Sequence, residues 1–379
     1  MGIWVQTQTI TAATPRRNTN PDSYQASFAM LKEITDRRQW NQFLLRIEPN
    51  TFLHSWEWGQ VQQTAGEAVR YLGFFSASHS QQQTGAALVV TVNARRGRHY
   101  LIPHLPAEAV ARAGGPSPRE FLNELVPYLK SRAKQDGAVA LRIAPLLKNT
   151  PAHQQVLRSF GFRPAPMHVH AELTWIIDIE KTDAELLAGM RKTTRHAIRK
   201  AEQAGVAIDL INDPDEALAR FWPLYEQTRA RHGFILWPRH MIAAQLEQFT
   251  ATNNCFTICA RHENRDVAAA IIFTFANTAF YYHGASRKLP AGIPAAQLVQ
   301  WTAIQEAKRR GMAHYNFWGI APVNQPNHPF AGITIFKKGF GGYAMDYLPA
   351  QDLPLAAGYW KLWAVDTFRK YRRGFWERD

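Results

Sequence analysis

The stretch ITIFKKGFGG, Ile333 to Gly342, places two lysines between an apolar run and a group of glycines. It reads as a strand. On a strand, Ile333, Ile335 and Lys337 share one face, and Thr334, Phe336 and Lys338 share the other. Lys337 would then project from the same side as two isoleucines. An ammonium held on a partly apolar face is an unusual placement, because low local dielectric strengthens its field. Lys338 is expected at the solvent. The glycines permit a close approach of backbone.

A second chemical feature is KTDAELLAGMRKTTRHAIRKAEQAGV, residues 181–206. It predicts one helix over 182–204, opened by the capping box Thr182-x-x-Glu185 and closed by Gly205. Leu186, Leu187, Met190, Ala197, Ile198 and Ala201 fall on one side. Arg191, Lys192, Arg195, Arg199 and Lys200 fall on the other. Five cations in ten residues, with no acid among them, repel one another unless an anion lies nearby. Either tRNA or a diphosphate-bearing substrate could be that anion.

Other reactive residues are sparse. Cys255 and Cys259 share a strand face but lie about 13 Å apart, too far for a disulfide. His168 and His170 of MHVH lack a third ligand, so no metal site is expected. The motif Gln63-x-x-Gly66-x-Ala68 has the letters of a pyrophosphate loop. It follows a helix and precedes a strand, however, so a helix C-terminus would face the anion. It reads as a helix cap.

The whole chain agrees with an anionic partner. Its 379 residues suit two or three domains. Hydrophobic residues make up 46% and charged residues 20%, an ordinary globular balance. With 44 Lys+Arg against 30 Asp+Glu, the net charge is +14, which favours nucleic acid, a phosphorylated substrate or an anionic membrane surface. Two cysteines suit a reducing cytoplasm. The first residues lack the pattern of a signal peptide, and residues 1–26 read as a flexible extension. The longest uncharged apolar run, Val267 to Tyr282, spans 16 residues, short of the ~20 a spanning helix needs. Ala276-Asn277 reads as a turn within it.

These residues are carried by a repeated order of elements. VRYLGFF, GAALVVTVNA and HYLIP read as strands, PREFLNELVPYLKSRAKQDG as a helix and AVALRIAP as a strand. CFTICAR, VAAAIIFTF, AFYYHGAS, the helix PAAQLVQWTAIQEAKRRG and the strand MAHYNFWGIAP repeat the order. The closing glycines Gly137 and Gly311 are 174 residues apart, and the prolines Pro145 and Pro322 are 177 apart. A near-constant offset implies a duplicated domain. The helical stretches SFAMLKEITDRRQWNQFLLRI and DPDEALARFWPLYEQTRARHG precede the two copies. The expected fold is α/β with mixed sheets, two tandem copies of a unit that resembles the N-acetyltransferase (GNAT) fold. Domain 1 is expected over 27–165, domain 2 over 166–349, and a basic helical segment over 350–379 packing back on domain 1.

The chain further resembles the Fem family of peptidoglycan bridge-forming aminoacyltransferases. The resemblance rests on FLHSWEWGQVQQTAG, MRKTTRHAIRKAEQAGV, RHGFILWPRHMI, YYHGAS, AIQEAKRRGMAHYNFWGIAP and GITIFKKGFGG, in that order over about 300 residues. It implies transfer of an amino acid from aminoacyl-tRNA to an amine on the stem peptide of a UDP- or lipid-linked muropeptide precursor. No coenzyme A, other cofactor or metal is implied. It places Lys337, with Phe336, at the reaction centre. Arg239 matches the family's phosphate-contacting Arg. The family's early-helix Lys is replaced by glutamine near Gln62 and Gln63, so either another basic residue such as Arg195 substitutes for it or the substrate differs. Trp56, Trp58, Tyr282 and Ser286 are pocket candidates, and Arg191, Lys192, Arg199 and Lys338 are tRNA-contact candidates. A cytoplasmic monomer at the inner face of the membrane is expected, with FRKYRRGFW near the C-terminus touching anionic lipid or tRNA. The competing readings are a leucyl/phenylalanyl-type transferase acting on protein N-termini, and a non-catalytic protein binding tRNA or wall precursor.

Overall fold

The structure is a computed structural model that describes residues 30–49, 51–76, 82–289, 292–323 and 325–373. The extension expected over 1–26 and the last residues of the basic C-terminal segment lie outside these.

The first unit comprises β1 (Met30–Glu33), α1 (Arg37–Leu44), a 3₁₀ turn (Phe52–His54), α2 (Trp56–Thr64), β2 (Ala68–Phe75), β3 (Gln83–Val92), β4 (His99–Leu105), α3 (Ala107–Arg112), α4 (Pro118–Asp136), β5 (Ala140–Pro145), α5 (Pro151–Ser159) and β6 (Arg163–Pro164). The second opens with β7 (Leu173–Asp178), α6 (Asp183–Gly189), α7 (Lys192–Gln203), β8 (Ala207–Ile211), α8 (Pro214–His232) and α9 (Arg239–Thr250). It continues with β9 (Cys255–His262), β10 (Arg265–Phe275), β11 (Thr278–Ser286), α10 (Ala295–Arg309), β12 (His314–Gly319), α11 (Ala331–Lys338) and β13 (Tyr343–Asp346). The strand β14 (Gln351–Pro354) and the helix α12 (Tyr359–Arg372) follow.

The repeat anticipated from the sequence is visible in the pairing. β2, β3 and β4 form an antiparallel meander, α4 crosses over, and β5 joins β4 in parallel. β9, β10 and β11 meander likewise, α10 crosses over, and β12 joins β11 in parallel. Each unit is therefore a mixed sheet with crossover helix, and the two stand in tandem. Local signals set the boundaries. α4 has a Ser117–Glu120 capping box and ends at Gly137, whose φ is +67°. α8 starts at the Asp213 cap and ends at Gly233, with φ +69°. The Ala276-Asn277 turn joins β10 to β11, with Phe275 opposite Thr278.

Three local expectations are overturned. Met30–Glu33 is a strand on the edge of the first sheet, so the helix before the first copy is confined to Arg37–Leu44. Residues 351–354, expected as helix, are the strand β14, inserted between β5 and β6 of the first sheet. The segment expected as one helix over 182–204 is two. Met190 is extended, with ψ 154°, and Arg191 caps the second helix with ψ 144°. The break has a tertiary cause: the Arg191 amide donates to the Gly339 carbonyl at 2.9 Å.

The units meet around Phe52, which is fully buried. Its ring lies 5.6 Å from Trp58 of its own unit, and 5.2, 5.1 and 4.9 Å from Phe273, Phe280 and Tyr282 of the other. Burying such a side chain contributes about 1.5–3 kcal/mol, and here that contribution fixes one unit against the other.

Candidate active site

The site forms where β11 and β12 part. Their pairing runs from Thr278–His314 to Phe280–Asn316 and stops. β12 then departs from its other neighbour's register between Asn316 and Gly319. Within this bulge Trp318 is left-handed, with φ +67°, a costly conformation for a bulky residue. The Asn316 carboxamide oxygen holds it by accepting from the Trp318 amide at 2.8 Å. In the first unit β4 and β5 regain pairing at Leu105–Pro145 after a similar irregularity.

Lys337 reaches this opening from α11. The ITIFKK segment is a helix, not the expected strand. Its β-branched residues mimic a strand signal, but tertiary contacts win. Thr334 Oγ1 donates back to the Phe330 carbonyl and accepts from the Ala321 amide, each at 2.7 Å. The face assignment changes with the helix: Ile333 and Ile335 are 41% and 65% exposed, while Lys337 is only 6% exposed. Lys337 is therefore buried on the arc between Ile333 and Thr334, and Ile335 turns to the opposite side.

The Lys337 ammonium donates to the Gly319 carbonyl at 2.5 Å and lies 6.0 Å from the Tyr281 ring centre. Burial pulls its pKa from 10.5 down to about 7, because desolvation disfavours the charged form. Lys338 is half-buried, its ammonium 5.3 Å from the Trp175 ring centre. Phe336 packs 5.4 Å from Phe340. The glycines face the same unit: a side chain on Gly341 would meet the Gly189 carbonyl at 2.9 Å, and one on Gly342 would meet the Ile176 carbonyl at 2.2 Å.

A separate group of aromatic rings lies where the two units meet. Trp318 lies 5.4 Å from Tyr282, and Tyr282 lies 6.3 Å from Trp237 and 6.0 Å from Trp58. Arg239, exposed at the first turn of α9, stands two residues beyond Trp237. Trp56 is elsewhere, stacked on Tyr71 at 3.9 Å, so of the two candidates Trp58 is the one in this group. Ser286 is held by Thr228, whose hydroxyl donates to its carbonyl at 2.9 Å, and its own hydroxyl accepts from Arg231 at 3.2 Å. Trp318 and Trp237 escaped the sequence reading because only the bulge and the fold bring them to this group.

The cationic cluster divides. Arg191, Lys192 and Arg199 are exposed. Arg195 turns inward, and its Nη1 donates to the Met190 carbonyl at 2.5 Å and the Leu187 carbonyl at 3.3 Å. It closes the exposed end of α6 instead of reaching outward, as expected for a substrate ligand.

Other groups near the interface are poor catalysts. Burial holds His54 at about 4 and His170 and His283 at about 3, so these imidazoles are neutral. Burial pushes the Cys255 and Cys259 thiols up to about 12, which suppresses the nucleophilic thiolate. Among the described residues, no group of three or more His, Cys, Asp or Glu could hold a metal. Glu172, raised by burial to about 7, accepts from the Ala350 amide at 2.8 Å. The arrangement thus offers a buried lysine beside an opening between strands, where a cation can act on a developing negative charge.

A family model for the acetyltransferase (GNAT) domain matches residues 188–328. The lipid II:glycine glycyltransferase of Staphylococcus aureus (strain USA300) is 30% identical over 315 residues, covering 63% of this chain and 74% of the relative. A crystal structure of FemX superposes with TM-score 0.75 at 16% identity, over 88% of this chain and 99% of that one. A tandem GNAT protein from the clavulanic acid biosynthesis pathway gives 0.52 at 10% identity, over 86% and 99%. Fold and site together define a tandem GNAT-like acyltransferase. The chain belongs to the Fem family and is an aminoacyltransferase.

Proposed function

We propose that the protein transfers an amino acid from aminoacyl-tRNA to an amine of a peptidoglycan precursor's stem peptide, at the cytoplasmic face of the membrane. The S. aureus relative, named for glycyl transfer to lipid II, supports a lipid-linked acceptor. The observation that carries the chemistry is Lys337, buried and bonded to the Gly319 carbonyl. The acceptor's neutral amine attacks the ester carbonyl, forming the C–N bond. The carbonyl oxygen becomes an oxyanion, which the Lys337 ammonium stabilises. The ester C–O bond then breaks, and the tRNA ribose oxygen leaves with a proton from the amine. Positioning and oxyanion stabilisation suffice because the ester is already activated.

Arg191, Lys192 and Arg199, with Lys338 nearer the site, are assigned to tRNA phosphates. Arg239 is assigned to the precursor's phosphate and the half-buried Tyr282 to the wall along which the stem peptide lies, with the buried Trp58 packed behind it. Phe336, on the same helix as Lys337, packs against Phe340 and supports that helix. Arg195, spent on the α6 carbonyls, has no substrate role in this scheme.

The test is transfer of a radiolabelled amino acid from charged tRNA to a muropeptide acceptor. Lys337→Ala loses transfer by at least about a hundredfold, the scale of removing one oxyanion donor, and stays folded. Lys338→Ala retains the chemical step. Near-normal transfer by Lys337→Ala would remove this lysine from the mechanism.

A further inference from the structure

The outer face of α12 is a second feature the transfer chemistry leaves unexplained. The helix is held from within. Tyr359, Leu362 and Asp366 are buried, and Asp366 accepts from Arg142 at 2.7 Å and lies 3.0 Å from Arg96. Arg142 in turn binds Asp352 of β14 at 2.6 and 2.8 Å. With these anchors the helix cannot roll its other side inward.

That other side is aromatic. At 100° per residue, Trp360, Ala364, Phe368 and Tyr371 fall within an arc of about 80°. Trp360 is 54% exposed, Phe368 67% and Tyr371 62%. Trp363 lies beside them, 6.3 Å from Trp360. Basic residues flank the stripe: Lys361 and Arg372 on one side, Lys370 on the other. Arg163, exposed on β6, adds a guanidinium 5.1 Å from the Trp360 ring centre. The helix's one acid, Asp366, is the residue turned inward. Exposed aromatics with a cationic border and no outward acid match the headgroup region of an anionic bilayer, where amphipathic rings sit at the interface and lysines and arginines meet phosphate. No helix among the described residues is long and apolar enough to cross a membrane, so the contact is with the surface.

We propose that α12 docks the protein on an anionic lipid surface through Trp360, Phe368 and Tyr371, with Lys361 and Arg372 reaching the headgroups. Its placement suits the site. Burial lowers the pKa of His168, with smaller contributions from His328 and from Arg373 and Lys370 at the end of α12, and His168 lies 6.4 Å from Phe330, the cap of the Lys337 helix. As a route to a lipid-linked acceptor the inference rests on the function proposed above. As a binding surface it is tested without any acceptor.

The experiment is vesicle sedimentation with the full chain. Vesicles of phosphatidylcholine alone are compared with vesicles that also contain phosphatidylglycerol. The wild type pellets with the second kind only. The triple variant Trp360→Ser/Phe368→Ser/Tyr371→Ser binds at least about tenfold more weakly. Lys361→Gln/Arg372→Gln loses about fivefold per charge, and added salt weakens the wild type in the same direction. Unchanged thermal unfolding confirms that the variants fold. Wild-type protein that stays in the supernatant overturns the proposal, as does a triple variant that binds as well as the wild type. A wild-type dimer in sedimentation velocity that the triple variant dissolves also overturns it, because the stripe would then cover a second copy. None of these results bears on transfer to a water-soluble acceptor, so a failure here is distinct from a failure of the transfer reaction.

Discussion

Replacing Lys337 by methionine should stabilise the protein while stopping its reaction. The buried ammonium has its pKa pulled from 10.5 to about 7. At about 1.4 kcal/mol per pH unit, that displacement costs the folded state about 4 kcal/mol at pH 7. Methionine fills a similar volume without the charge. It leaves the Gly319 carbonyl, bonded at 2.5 Å in the wild type, without this partner, a penalty of about 1–3 kcal/mol. The net expectation is a gain of about 1–3 kcal/mol, or about 2–4 °C in Tm per kcal/mol. The pH dependence is sharper still. Because the folded pKa lies below the unfolded one, the unfolded state binds more protons between pH 7 and 10.5, and wild-type stability rises with pH across that window. Urea unfolding of both proteins at pH 7 and pH 9 should show the variant's advantage shrinking by about 2 kcal/mol. A variant less stable than wild type at pH 7, or an advantage that does not change with pH, would refute the claim that Lys337 is a desolvated charge.

Transfer by the wild type should lose rate as pH rises through about 7, where Lys337 gives up its proton. The guanidinium of Lys337→Arg stays charged, so whatever rate that variant retains lacks this alkaline limb. Arg239→Ala should weaken precursor binding about tenfold or more in a direct titration, as for a lost charge-assisted phosphate contact; an unchanged affinity removes Arg239 from the site. Asp366→Ala strips a buried carboxylate from Arg142 and Arg96 and should cost about 3–5 kcal/mol in chemical denaturation. The thiols of Cys255 and Cys259, pushed up to about 12, should react with a disulfide reagent only after unfolding.

Much of the architecture was legible because its signals are local. Strand alternation, the glycines that close α4 and α10, and the spacing between the two copies all survive in the fold. What the sequence concealed depends on contacts distant in the chain. The ITIFKK run has the composition of a strand, yet Thr334 bonded to Phe330 and Ala321 makes it a helix. Lys337 was singled out by an alternation that does not exist; its burial comes from the arc between Ile333 and Thr334 and the opening beside β12. The basic helix reads as continuous, but Arg191 bonds to Gly339 and breaks it, and Arg195 is spent on that break. The glycines after Lys338 could have served any close approach; the approach is to Gly189 and Ile176. The strand β14 was invisible because its partners, β5 and β6, lie about two hundred residues earlier, beyond the reach of any local pattern.

The central claim is an amino-acid transfer from tRNA to a wall-precursor amine. The purified protein is incubated with charged tRNA and, in separate reactions, a UDP-linked muropeptide, a lipid-linked muropeptide in detergent and a model peptide with a free N-terminus. Products are read by mass. The expected result is that a muropeptide gains the mass of one amino-acid residue, that the model peptide does not, and that Lys337→Ala leaves every acceptor unchanged. Transfer to the model peptide instead, or to none of the three, would contradict it.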